Sequence, residues 1–480
     1  MDGFEYEGVF WLADQPSRQA VGRLTYKPTE GASLDLLGSL DEEVQALQTM
    51  NVVGPGRRIV GAAGGKEVTL EGCVIRNTNM QSPGILRQEY YVPTVFTGVQ
   101  LDADDVLDFE KVTVSFDHLP FWINRNNFSF SIDTALPNDL TTVTKYMVAS
   151  EVPLKESERT GQSEVEIGYS SSIGGDRFTE MHVTQRPSLS LAYAESRALP
   201  DILADVSGLQ DLVTLGIGAP AVLTEVVLRR SDIARQTPDG RTVLIPVHAY
   251  WSNIAERVRV AKPSDKDMLF SFGQADGLRT IAKWVQFSRD HRLVLGLLLS
   301  EQYAPQMYEE NAFANAISAA ETFHRMHFEN EIVPTPEFKS RKRKMCKAVK
   351  KALGPKARDW LNQQLEFSNE PRLRKRLVDV ANYAGPNLSD FVGDVDTWAG
   401  IVTLVRNRLT HHDPTQRIER QPGDLTFLGN SIYIVTALAI LRECDVPEVV
   451  YQAIQQSDRV AFTRGKLSEI VPRFEHYLRR

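Results

Sequence analysis

The spacing of apolar residues changes period near Pro263, and that change limits the folds open to this chain. Before it, apolar side chains recur at every second position in short runs broken by Gly, Pro and Asp. After it, they recur three and four apart. A period of two places side chains on alternate faces of a strand, whereas a period near 3.6 lines one side of a helix. At 480 residues the chain also exceeds what one core ordinarily organises. The expected architecture is multidomain α+β, with a β-rich N-terminal domain over residues 1–268 and an all-α helical bundle within 269–480.

Within the first part, Tyr6–Leu12 is a short aromatic and apolar run, and AVGRLTYKP alternates until Pro28. RRIVGAAGGKEVTLEGCVIRN predicts two strands around Gly64-Gly65. LRQEYYVPTVFTGVQL and FEKVTVSFDHLPFWIN give further strand patterns, and one helix is expected over 199–216. AVLTEVVLRRS and RTVLIPVHAYW predict a closing pair of strands across ARQTPDGR. In the second part, helices are expected over GLRTIAKWVQFSRDHRLVLGLLLSEQY, YEENAFANAISAAETFHRMHFEN, PRLRKRLVDVANYAG and LTFLGNSIYIVTALAILRECDV.

A formal net charge of −8 argues against a general nucleic-acid coat but leaves room for a locally basic site. Cys73, Cys346 and Cys444 lie far apart without paired ligand spacing, which predicts a reducing, cytoplasmic setting and no zinc site. The start MDGFEYEGVFWLAD is acidic and has no signal-peptide core. No uninterrupted apolar run is expected to cross a membrane, and LVLGLLLS at 293–300 reads as a short buried helix.

Chemistry concentrates in WAGIVTLVRNRLTHHDP, Trp398–Pro414. As a helix it puts Trp398, Ile401, Val402, Val405 and Leu409 on one stripe and ends near Asp413, because Pro414 cannot continue it. Arg406, Asn407 and His411 stand just before that end. A neutral His can take a proton from a ribose 2′-hydroxyl near pH 7, a fixed cation can stabilise charge on a phosphate under attack, and an amide can orient either group. The plainer reading is a solvated helix end whose Arg and His complement the helix dipole. A second Arg-x4-His, Arg177 to His182, shows how little the bare spacing says; Asn directly after the Arg makes the pattern rarer.

Other polar features carry weaker expectations. Asp102, Asp104, Asp105, Asp108 and Glu110 fit no calcium-loop spacing and read as a solvated loop. His324 falls in an apolar stripe and reads as a satisfied core histidine; with His327 it lacks a third ligand, so no metal is expected. Glu321, at the edge of that stripe, is either a surface residue or a carboxylate able to orient a catalytic His. Lys339, Arg341, Lys342, Arg343, Lys344, Lys347, Lys350 and Lys351 form the most basic stretch. It is either a solvated face or an RNA-binding contact centred on Arg341, Lys342, Arg343 and Lys344.

RNRLTH resembles the RNxxxH signature of the HEPN superfamily, helical proteins that include metal-independent RNases of toxin and anti-phage systems. Arg406, Asn407 and His411 match its three fixed positions. The order of EGVFWLAD, GGKEVTLEGC and FEKVTVSFDHLPFWI, followed by a helical C-terminal part, is similar to ApeA-type abortive-infection proteins. The resemblance implies a HEPN core at about 305–445, no cofactor, RNA as substrate, a phage-derived trigger as a further partner, and no membrane. In it His411 is the general base, Arg406 the transition-state cation and Asn407 the group that holds the geometry. Helix geometry adds an expectation of its own. Arg406 and His411, five residues apart, point about 140° away from each other, which favours two helices meeting in a homodimer. The competing class is a non-catalytic dimerisation module whose β domain binds a protein ligand. A nucleotide- or sugar-processing enzyme finds no Walker loop, dinucleotide fingerprint or GxSxG in the chain.

Overall fold

The computed structural model describes all residues except 42–55, 81–85, 126, 136–142, 151–154, 162, 177, 262, 265, 386–387, 412–418 and 479–480; for Met80, Ala135, Val143, Thr160 and His411 it describes the backbone alone. Arg177 of the second Arg-x4-His, and the expected helix end at Asp413-Pro414, therefore lie outside the described residues. The chain divides into two compact units, Met1–Arg289 and Asp290–Arg480.

The first unit begins with β1 (Phe4–Leu12), β2 (Gln19–Lys27), β3 (Gly31–Leu37), β4 (Arg57–Ala63), β5 (Lys66–Met80) and β6 (Leu86–Val92). These pair antiparallel in the order β5-β4-β1-β2-β3-β6, and β6 returns to β5, so six strands close a barrel. Alternation fills it: in β2 Ala20, Gly22, Leu24 and Tyr26 face inward while the residues between them face out. The expected hairpin at Gly64-Gly65 joins β4 to β5, with both glycines at positive φ, 57° and 74°. Closure depends on β5, whose Val68–Glu71 pair with β7 (Thr94–Thr97) while Val74–Met80 pair with β6. Gly72, at φ 72°, sits where the partner changes, a conformation a side chain would oppose.

From β7 the sheet runs outward through β8 (Asp108–Phe116). Next come the ribbon β9 (Ser129–Ala135) and β10 (Val143–Ala149), then β11 (Lys155–Thr160), β12 (Ser163–Gly175), β13 (Met181–Ala198) and β14 (Leu223–Arg229). A small ribbon, β15 (Ala234–Gln236) and β16 (Thr242–Leu244), and then β17 (Val247–Tyr250) complete the strands. The order is β7-β17-β14-β8-β13-β12-β11, and among the described residues β9 and β10 pair only with each other. The expected closing pair is β14 and β17, with the Pro-Asp-Gly turn set on the separate β15–β16 ribbon. LPFWI departs from its strand expectation: β8 stops at Phe116, and α1 (Leu119–Ile123) follows with proline in its first turn, where a missing N–H costs nothing. Helix α2 (Leu199–Ile217) forms as expected and packs on β8 and β13.

The first unit also extends further than composition predicted. Helix α3 (Leu278–Asp290) belongs to it through Arg289, 21 residues beyond the expected boundary at 268. Tertiary anchoring overrides the change in period: the Trp284 indole donates to the Gly208 carbonyl at 2.7 Å, Phe272 meets Trp122 edge-on, and Arg289 binds the buried Asp205 at 2.6 and 2.9 Å.

The second unit contains α4 (Arg292–Leu298), α5 (Ser300–Tyr303), α6 (Glu309–His327), α7 (Thr335–Leu353), α8 (Pro355–Gln364), α9 (Leu373–Ala384), α10 (Ser389–Val392), α11 (Val395–His411), α12 (Asp424–Glu443), α13 (Glu448–Gln456) and α14 (Asp458–Leu478). Helix α12 is the axis, with α6, α9 and α14 packed around it. Contrary to expectation, α12 is long and apolar enough to cross a membrane by length and composition. It is instead buried inside the bundle over 83% of its most apolar stretch, as befits a helix surrounded by others. The Trp398 indole donates to Ser431 at 2.9 Å, joining α11 to α12, and Arg473 of α14 binds the buried Asp424 at 2.5 and 3.1 Å. Among the described residues Cys73, Cys346 and Cys444 form no disulfide.

Trp284→Ala tests the boundary. It removes a fully buried indole, and unfolding of the first unit in urea should lose about 3–5 kcal/mol while the second is unchanged. Destabilisation of the second unit alone would place α3 elsewhere.

Candidate active site

Helix α11 brings the motif residues onto one continuous helix. Its start is fixed by Asp394, whose carboxylate accepts the Thr397 N–H at 2.8 Å and is held below the usual carboxylate range chiefly by the Thr397 side chain and next by that N–H. Trp398, Ile401, Val402 and Val405 are buried, as the stripe predicted, while Leu409 is half-buried. That face packs on α9 and α14. Arg408 turns toward α14 and lies over the Tyr477 ring at 5.2 Å.

Arg406 is half-buried and Asn407 exposed. Among the described residues Arg406 has no carboxylate partner, and its Nη1 donates to the Asn407 side-chain carbonyl at 3.3 Å. Thr410 caps back onto the Arg406 carbonyl at 2.6 Å. His411 closes the helix, and its side chain lies outside the described residues. Asn407 and His411 are four apart and share a face. The contact to Asn407 draws the guanidinium toward that face, which narrows the angular gap the backbone alone would set between Arg406 and His411.

Glu321 sits half-buried on α6, and its charge acts on Arg376 of α9. Helix α6 packs on α4, α9 and α12, whereas α11 packs on α9 and α14, so Glu321 belongs to the surroundings of Arg376. His324 is the satisfied core histidine its stripe implied. It is fully buried, Nε2 meets Asp379 at 3.2 Å, and Nδ1 accepts from Arg376 at 3.1 Å. Arg376, only 2% exposed, also donates to Asn330 at 2.7 Å, the Pro371 carbonyl at 2.9 Å and Glu370 at 3.0 Å. Sequence reasoning passed over it because it lies in a basic run. The signal was positional: Arg376 shares the stripe of Leu377, Val380 and Ala384. A second unforeseen chain links His291 to His327 at 2.8 Å, His327 to Glu443 at 3.2 Å, and Tyr383 to Glu443 at 2.5 Å.

The consecutive run Arg341–Lys344 is spread around the circumference of α7. Arg341 pairs with Glu337 and Lys342 is half-buried, whereas Arg343 and Lys344 are exposed. The acidic loop is partly neutralised: Asp105 and Asp108 each lie 3.7 Å from Arg230, and Glu110 accepts from Ser231 at 2.6 Å. Among the described residues no three His, Cys, Asp or Glu side chains converge as metal ligands.

The histidines set a pH dependence. Burial, the largest effect, pushes His324 below its ordinary value of 6.5; Asp379 opposes this and Arg376 adds to it. His327 is lowered for the same first reason, with Glu443 opposing. Below pH 6.5 the unfolded chain takes protons that the folded unit refuses. Stability should therefore be level above that pH and fall below it, and His324→Gln should flatten the fall. Thermal melts between about pH 8 and 5 check this, and a transition that rises on acidification would contradict it.

The first unit and the second each match a known family. A model described as ApeA N-terminal domain 1 matches residues 5–284, and one described as Apea-like HEPN matches residues 314–449. No curated protein and no solved structure gives a significant match. The HEPN match includes α9, α11 and α12, and with them Arg376 and the Arg406–His411 end. The first match alone spans more than half of the chain, which therefore belongs to the ApeA family, with an Apea-like HEPN domain in its helical unit.

Proposed function

We propose that this protein is an anti-phage abortive-infection effector whose HEPN domain is a metal-independent endoribonuclease acting in the cytoplasm. HEPN domains are generally associated with RNase activity, and the ApeA family with anti-phage defence. The observation that carries the reading is an intact Arg-Asn-x3-His at the polar end of α11, within the HEPN match, with Arg406 unneutralised among the described residues.

His411, as neutral imidazole, takes the proton of the 2′-hydroxyl. The 2′-oxygen then bonds to the adjacent phosphorus and the bond from phosphorus to the 5′-oxygen breaks. The products are a 2′,3′-cyclic phosphate and, after protonation, a 5′-hydroxyl. Arg406 offsets the charge gathering on the non-bridging oxygens, and Asn407 holds the guanidinium from the side that His411 shares. The RNA supplies its own nucleophile, so no metal-bound water is required.

The first unit is assigned to sensing. Its β9–β10 ribbon exposes Phe130, Ile132, Tyr146 and Met147, apolar side chains suited to a protein ligand such as a phage-derived trigger. The same surface favours the second reading, a binding protein whose HEPN domain only dimerises.

Two outcomes separate these readings. Arg406→Ala and His411→Ala should each lower RNA cleavage by about 10²–10⁴-fold with unchanged circular dichroism, and wild-type cleavage should persist in EDTA. Retained cleavage by both variants removes the catalytic assignment. The active species should also be a homodimer by light scattering at assay concentration. An active monomer would mean that one helix, with Arg406 folded toward Asn407, suffices.

A further inference from the structure

Helices α7 and α8 form an arm unlike the rest of the helical unit. Neither helix contains a buried residue, and their principal packing is on each other. The arm leaves and rejoins the bundle at one clasp. The Ile332 N–H donates to the Asn369 carbonyl at 2.7 Å, the Val333 N–H to the Asn369 side chain at 3.1 Å, and the Asn369 amide returns to the Val333 carbonyl at 2.8 Å. Below the clasp, buried Arg376 holds both feet, Asn330 on one side and Glu370 and Pro371 on the other.

Residues 335–366 carry ten lysines and arginines against three acids, in a chain of net charge −8. The helix sorts these cations by angle. At about 100° per residue, Lys339, Lys350, Arg343, Lys347, Lys351 and Lys344 follow one another within about 140° of the circumference. All six are exposed, and among the described residues none is in a close ion pair, Lys339 acting on Glu331 only through space. Arg341 points roughly opposite, tied to Glu337, and Lys342 turns into the half-buried side with Phe338 and Val349. The stripe from Lys339 to Lys351 is about 18 Å long at 1.5 Å per residue. Six cations crowded at exposed positions repel one another, so the arrangement is stabilised by a polyanion laid along it.

We propose that this face of α7, namely Lys339, Arg343, Lys344, Lys347, Lys350 and Lys351, is the RNA-backbone site of the protein, gripping single-stranded substrate by its phosphates. It rests on the ribonuclease reading and replaces the consecutive run 341–344 by a stripe that the helix makes contiguous. Contacts of this kind are blind to sequence: they hold the strand, and base choice is left to other groups.

The test uses the full chain and a fluorescein-labelled 20-nucleotide 2′-O-methyl uridine oligomer, which lacks the attacking hydroxyl. Lys339→Ala, Arg343→Ala, Lys347→Ala and Lys351→Ala are combined in one variant; alanine favours the helix at exposed positions, so folding is retained. Anisotropy titrations from 50 to 200 mM salt should show at least ~10-fold weaker binding at low salt and a log–log salt slope reduced by about 3. The off-stripe pair Arg341→Ala with Lys342→Ala should change affinity less than ~3-fold. An unchanged slope in the stripe variant, with cleavage of unmodified RNA still lost in Arg406→Ala, overturns the stripe alone. A reduced slope with cleavage intact in Arg406→Ala supports the stripe and overturns the catalytic reading. Loss of binding to phosphatidylserine vesicles with RNA binding unchanged would assign the face to a membrane and overturn the proposal.

Discussion

The helical unit depends on the burial of one guanidinium. Arg376 is withdrawn from water and meets His324, Asn330, Glu370 and a backbone carbonyl, so nearly every donor of its fork is used. Burying such a charge is costly unless it is paired and hydrogen-bonded, and removing one partner of such a set typically costs about 3–5 kcal/mol. The planar fork has one satisfactory arrangement, and that arrangement fixes α6 against α9 and both feet of the α7–α8 arm at once. Lysine, a point charge on a flexible stem, cannot reproduce it.

Around that centre the parts divide by burial and polarity. Helix α11 is anchored by Trp398 and by its buried stripe against α9 and α14, which leaves its last turns polar. Reactive groups at the end of a well-held helix are positioned by the whole bundle while remaining open to a large substrate. The arm does the reverse: its body is solvated and only its base is held. In the proposed function, the first arrangement suits chemistry on a single phosphate and the second suits a loose hold along many.

Much of this was legible in residues. The stripe from Trp398 to Val405, the Gly64-Gly65 hairpin, the helix over 199–216 and the core character of His324 follow from local period and turn chemistry, which act within a few residues. What was not legible depends on distant partners. Helix α3 reads as part of the helical region because its period is helical; only the contacts of Trp284 and Arg289 reveal which core it joins. Arg376 was hidden in a basic run, since composition counts charges without regard to angle. Arg341–Lys344 fan out around α7 for the same reason: neighbours in sequence are not neighbours on a helix, whereas residues four apart are.

The antiparallel sheet of the first unit has two ends, and each is finished by a different device. At one, β6 pairs with both β3 and β5, so the barrel has no free rim there. At the other, β11 is terminal in the strand order and among the described residues pairs only with β12. Its sequence, KESERT, sets Lys155, Glu156, Glu158 and Arg159 along that border. A foreign strand docking there would have to strip water from these charges, so the border resists templating. Closure at one end with charge at the other lets this sheet be wide without being sticky.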